Sequence, residues 1–273
     1  DNFNLYNCNM LKNDKLLQIY NSFKYRSFHP YKYFFLKNRY KKIRIKTFEK
    51  LCKRDSIIKL SQNKSFKIFS QYKNEFILLD KEFKEKKEQI LDKYNVEIHA
   101  IHYPELIYFL IRKLKPQSVI ETGVWLGLSS QYILSAGIKN HNNFKLDSID
   151  LPRFNLTNSK NLIGLFVSKS NKNNWTLHIG TDRQKLKKLL KTNSSEVFLF
   201  DSDKTHRGKM YLYNTVKRYR DNYIMIFDDV EDNLFWFDKK MISENKILIN
   251  YQNKYVGIIF SDKYKSSLRM FDE

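Results

Sequence analysis

The chain is poor in cross-linking and turn-forming residues, and each shortage excludes something. Two cysteines, Cys8 and Cys52, in 273 residues cannot build a disulfide framework or a zinc site by themselves, so a reducing, cytoplasmic setting is expected. No stretch approaches the roughly 20 apolar residues of a membrane-spanning helix. The longest apolar patches, such as Leu106–Ile111, are the size of core elements. No signal-peptide pattern opens the chain, and its start at Asp1 leads us to expect that the true N-terminus is missing. The nucleotide-fold motif G-x-G-x-x-G and the phosphate loop G-x-x-x-x-G-K-[ST] are both absent.

Glycine is scarce and unevenly placed. All seven glycines, from Gly123 to Gly257, lie after residue 120, so the first part lacks the turn chemistry of an α/β domain. Acids are scarce against bases, 29 against 50, which gives a formal charge of +21. That excess suits nucleic acid or an anionic surface. It suits equally well a chain whose lysines are spread over solvated faces and need no partner.

What is present divides in two: a basic, mostly helical region over 1–97 and an α/β domain over 98–273. Residues 1–60 hold 15 Lys/Arg against 4 Asp/Glu. Their densest run, Tyr31–Lys46, interleaves bases with aromatics, as a phosphate-gripping, membrane-surface or snorkelling amphipathic segment would. From Glu75 to Tyr94, Phe76, Leu79, Phe83, Ile90 and Tyr94 recur at helical spacing, which predicts a solvent-facing helix with one buried stripe. A second helix starts at Pro104, a residue suited to a first helical position.

Beyond it the chain is organised around Ser118–Ser130, SVIETGVWLGLSS. A short apolar strand ends at Glu121, a turn carries Gly123 and Gly127, and Ser129 and Ser130 open an apolar helix. Glycines let the backbone approach a ligand, and the helix start points free N–H groups at it. Strands are then predicted near Lys145–Asp150, Trp175–Ile179, Val197–Asp201 and Tyr223–Asp228, with a closing pair near Lys246–Asn250 and Tyr255–Ser261. Intervening helices make this a doubly wound, Rossmann-like, mostly parallel seven-stranded sheet with helices on both faces.

Acids end four of the strands: Glu121, Asp150, Asp201 with Asp203, and the pair Asp228 and Asp229. Each follows an apolar run, so the carboxylates should emerge on one rim of the sheet. Asp150 is placed to accept hydrogen bonds from ribose hydroxyls, or to cap a helix. Asp201, Asp228 and Asp229 would repel one another unless a cation joined them, and hard oxygen ligands favour Mg²⁺ or a similar ion.

ETGVWLGLSSQYIL, LDSIDLP, WTLHIGTDRQKLKKLL, VFLFDSDKTH and YIMIFDDVEDNLFWF, in that order over roughly 98–262, resemble the successive motifs of class I S-adenosylmethionine-dependent methyltransferases. The nearer likeness is to the small-molecule O-methyltransferases of glycan and natural-product pathways. The resemblance implies that Glu121, Thr122, Gly123 and Gly127 line the methionine end of S-adenosylmethionine, with Ser129 and Ser130 beside it. It puts Asp150 at the ribose and Gly180, Thr181 and Asp182 on the adenine side, and it makes Asp201, Asp228 and Asp229 metal ligands.

The chain departs from the family pattern in several places. Lys204 and His206 stand where a histidine and a tyrosine are usual. The glycine–aspartate after the third strand is displaced into Gly180-Thr181-Asp182, and Arg220-Asp221-Asn222 replaces a glycine pair. The implied activity is methyl transfer to a hydroxyl of a small acceptor, a sugar or glycan precursor among the candidates, with Lys204 or His206 taking the proton. The alternatives are a nucleic-acid-binding protein or RNA methyltransferase that uses the basic region, and an inactive methyltransferase-like scaffold.

Overall fold

The computed structural model describes residues 45–52, 57–94, 103–153, 159–251 and 254–271. Tyr31–Lys46 lies outside these residues except for its last two, as do Cys8 and the expected domain border at 97/98. The chain forms two compact units, 1–50 and 51–273. The described residues of the first, 45–50, are helical.

The second unit is built on one eight-stranded sheet. Its strands are β1 (Ile57–Leu60), β2 (Ser118–Thr122), β3 (Lys145–Asp150), β4 (Trp175–Ile179), β5 (Val197–Phe200), β6 (Ile224–Phe227), β7 (Asn245–Tyr251) and β8 (Lys254–Phe260). Their spatial order is β1-β7-β8-β6-β5-β2-β3-β4. All neighbours are parallel except β8, which runs against both β6 and β7. The seven expected strands are therefore joined by an eighth, β1, which pairs Ile57–Leu60 with Leu248–Tyr251.

Before β2 come α1 (Gln62–Ile68), α2 (Ser70–Tyr94) and α3 (Pro104–Leu114). After it come α4 (Leu128–Asn140), the short α5 (Ser159–Leu162), α6 (Asp182–Thr192) and α7 (His206–Tyr219). Pro104 opens α3, and Lys115, in the left-handed region at φ 48°, ends it by donating its N–H to Ile111 O at 3.0 Å. Every residue from Glu105 to Ile111 is buried, because α3 is covered by α2 on one side and α4 on another. Phe76 and Phe83 form the buried stripe of α2. Phe76 packs on Phe109 and Tyr132, and Phe83 on Tyr132 and Phe166. Burying five such rings contributes on the order of 2 kcal/mol apiece.

The chain leaves β2 toward β3 and β4, then returns to the other side of β2 as β5. Right-handed crossovers in opposite directions put α4 and α6/α7 on opposite faces and open a crevice beyond the carboxyl ends of β2 and β5.

Candidate active site

The crevice is closed by one tight approach. Gly123 follows β2 at φ +83°, and a Cβ there would lie 2.6 Å from the carbonyl carbon of Asp201, the residue after β5. Only glycine lets these two strand ends come so close. The turn then runs through Trp125, a bulky residue in the left-handed region at φ 49°, to Gly127 at φ 84°, which caps α4. Asp150 holds this turn in place: its Oδ2 accepts the N–H groups of Val124 at 3.0 Å and Trp125 at 2.6 Å, and its Oδ1 accepts that of Leu151 at 2.7 Å.

A cavity of about 480 Å³ opens above the turn. Gly123, Trp125, Ser129 and Asp150 form one wall; Asp201, Lys204, Asp228, Asp229 and Lys254 form the other. Arg153 also lines it, with its guanidinium stacked 3.5 Å from the centre of the Trp125 ring.

Several expected cofactor residues lie behind the first wall. Glu121 is fully buried. Its Oε2 accepts Ser130 Oγ at 2.5 Å and Ser148 Oγ at 2.8 Å, and its Oε1 accepts Ser129 Oγ. Burial pushes this carboxyl above its ordinary range, and the three hydroxyls pull the other way. Glu121 and Ser130 thus fix the start of α4 from below, and Ser129 connects them to the cavity. Thr122 is also fully buried. A hydroxyl carries one proton, so Ser202 Oγ, which donates to Asp182 Oδ2 at 2.6 Å, must accept from Thr122 Oγ1 at 2.8 Å. Burial holds the Asp182 carboxyl above its usual range. Thr181 caps α6 in a capping box with Gln184, and Gly180 N–H bonds Asp150 O at 3.0 Å. Glu121, Thr122, Gly127, Ser130, Gly180, Thr181 and Asp182 do not line the cavity; Gly123, Ser129 and Asp150 do.

The second wall is a row of alternating charge. Lys204 Nζ lies 2.9 Å from Asp228 Oδ2 and 3.0 Å from Asp229 Oδ2, and it also bonds Asp201 Oδ1. Lys254 Nζ meets Asp229 Oδ1 at 2.5 Å, and the phenol of Tyr103 donates to Asp228 Oδ1 at 2.7 Å. Burial alone would lower the Lys204 ammonium, but Asp228 and Asp229 outweigh it and hold the pKa above the usual lysine value. For Asp228, burial is outweighed by Lys204 and Tyr103, and the carboxyl stays below its usual range. Beneath the row, Lys209 donates from Nζ to the carbonyl oxygens of Asp228 at 2.6 Å and Asp229 at 2.5 Å. Its burial, with help from the charge of Lys204, lowers it to about 8.

His206 is not brought to the cavity. It opens α7, and its Nε2 pairs with Asp238 Oδ2 at 3.1 Å. Asp203 instead receives the N–H and hydroxyl of Thr205, the N-cap of α7. Sequence reasoning missed Tyr103, Trp125, Arg153, Lys209 and Lys254. Trp125 carried a signal, since it sits inside the glycine turn; the others are single members of abundant residue types.

Two tests of fit follow from this geometry. Three of the four or so lone-pair positions of the Asp150 carboxylate are used, which leaves capacity for a ribose hydroxyl facing a cavity of small-molecule size. Asp201, Asp228 and Asp229 can each present an oxygen within 4.8 Å of the others, a donor set that fits a hard divalent cation.

Residues 120–230 match the family model of a methyltransferase domain. No curated protein sequence matches the chain. Among solved structures, the O-methyltransferase of Bacillus cereus in complex with SAH superposes with a TM-score of 0.51 at 14% identity, over 66% of this chain and 89% of that one. SAH-bound PaMTH1, a methyltransferase of Podospora anserina, gives 0.51 at 13% identity, over 67% and 88%. The glycine turn, the switch-point cavity and the strand order agree with the matched model: over residues 120–230 the chain carries a methyltransferase domain, on the Rossmann-like fold of these structures.

Proposed function

We propose that the protein transfers a methyl group from S-adenosylmethionine to a hydroxyl of a small acceptor, with sugars and glycan precursors as the first class to test. One observation carries this reading: the charged row of Asp201, Lys204, Asp228 and Asp229 faces the Gly123–Asp150 wall across a single cavity. One wall suits a nucleoside and the other a hydroxylated acceptor.

S-adenosylmethionine supplies an activated methyl on its sulfonium when bound. Asp150 would accept the ribose hydroxyls, while Gly123 and Ser129 would shape the methionine end. Lys204 stays protonated among its carboxylates, so it acts as a fixed positive charge beside the acceptor oxygen as negative charge develops there. Asp201, whose side chain is 34% exposed against 14% for Asp228 and Asp229, is the carboxylate best placed to take the hydroxyl proton. His206 has no part in this scheme. A divalent cation held by Asp201, Asp228 and Asp229 would supply Lewis-acid polarisation of the acceptor in place of the Lys204 charge.

Calorimetric titration with S-adenosylmethionine and S-adenosylhomocysteine tests the cofactor half. Micromolar one-to-one binding is expected, and no binding of either ligand would overturn the reading. Transfer of labelled methyl to a panel of sugar and phenolic acceptors, with and without Mg²⁺, tests the other half.

A further inference from the structure

The three carboxylates that fit a divalent cation already share an internal one. Lys204 Nζ contacts all three, so an ammonium and a metal ion compete for one place. Lys254 occupies the remaining oxygen of Asp229. Three carboxylates against two ammoniums leave one net negative charge, far less attraction for a dication than the bare triad would offer.

The arrangement also lets Lys204 withdraw. Its backbone is pinned, since Asn233 Nδ2 donates to Lys204 O at 2.7 Å while Asn233 Oδ1 accepts Phe235 N–H at 2.7 Å. Its side chain is one-third exposed, 33%, and flexible along four carbons. A swing of the ammonium toward solvent frees the three oxygens without moving the turn that carries it. Lys254 is less free: its side chain is 23% exposed and enters from β8, on the far side of Asp229.

We propose that Lys204 and Lys254 are built-in counter-ions that set how tightly the acid row takes a divalent cation. The ion enters by displacing Lys204 Nζ, and both lysines weaken its binding. This rests on the methyltransferase reading for its purpose but not for its test.

Mn²⁺, followed by the electron paramagnetic resonance of the free ion, is the probe. It would be titrated into the wild-type chain and into the Lys204→Met, Lys254→Met and Lys204→Met/Asp228→Asn variants. Removing the Lys204 charge should tighten Mn²⁺ by about tenfold or more, and removing that of Lys254 by less, because it touches Asp229 alone. Adding Asp228→Asn should undo the gain, which places the ion at the row. Mn²⁺ binding no tighter in Lys204→Met than in wild type, including no binding in either, would overturn the proposal. S-adenosylhomocysteine calorimetry on the same proteins separates the two ideas. Its retention alongside unchanged Mn²⁺ affinity rejects the counter-ion role alone, and its absence from wild type rejects the cofactor reading alone.

Discussion

Tyr103 and Asp228 are 125 positions apart in sequence and joined by a 2.7 Å hydrogen bond from phenol to carboxylate. Tyr103 precedes the buried helix α3 and lies outside the matched 120–230 segment, so the helical region before β2 helps build the charged wall. Tyr103→Phe leaves Asp228 Oδ1 without this donor. The expected loss is about 1–3 kcal/mol of stability in urea unfolding, together with slower methyl transfer. S-adenosylhomocysteine, which we propose sits at the other wall, should keep its affinity within about twofold. A large loss of that affinity would show that the two walls are not independent.

Gly123→Ala probes the tight approach itself. The added Cβ meets the Asp201 backbone at 2.6 Å, in a conformation that costs a non-glycine residue about 1–2 kcal/mol before the clash is counted. Thermal melting should fall by several degrees and S-adenosylhomocysteine binding should drop sharply. Unchanged binding would place the cofactor elsewhere.

Lys209→Met asks what holds Asp229 at φ 48°. Lys209 is 2% exposed and satisfies two backbone carbonyls. Its removal should destabilise the fold by about 1–3 kcal/mol and blunt turnover by loosening the Asp228–Asp229 turn. A neutral effect on both would mean that water replaces the ammonium.

The pH dependence of stability has a defined sign. Glu105 on α3 is 1% exposed, has one carboxyl oxygen without a hydrogen-bond partner among the described residues, and is raised by burial from 4.5 to about 7. Between those values the folded chain holds a proton that the unfolded chain has released. The stabilising contribution is therefore fully present below about pH 4.5 and lost as pH rises toward 7, by roughly 3 kcal/mol in all. Glu231, raised to about 7 chiefly by burial, acts in the same window. Melting curves across pH 4.5–7.5 should flatten in Glu105→Gln without becoming level, and Glu105→Gln should be the more stable protein at pH 7.5.

The sequence made the sheet legible because buried parallel strands read as short apolar runs that stop at an acid. Lys145–Asp150 and Trp175–Ile179 were placed to the residue. β1 was not legible: IIKL is four residues inside a basic stretch, and only its partner β7 makes it a strand. The rim acids were readable for the same reason as the strands, but their partners were not. Lysine is too common in this chain for Lys204 or Lys254 to stand out, and pairing is decided by tertiary position. Glu121 shows the limit most directly. Ser129 and Ser130 lie near it in sequence, whereas Ser148 reaches it only because β2 and β3 pair in the register that sets Glu121 beside Ser148.

β1 also bears on how the protein should be cut. It covers Leu248–Tyr251, more than half of the hydrogen-bonding margin of β7. A truncation made after residue 60 to remove the basic region would strip that cover and offer an apolar strand margin to other copies of the chain, an invitation to aggregate. Cutting at the boundary between the two units, after Lys50, removes 12 of the 15 Lys/Arg of residues 1–60 and keeps β1 paired on β7.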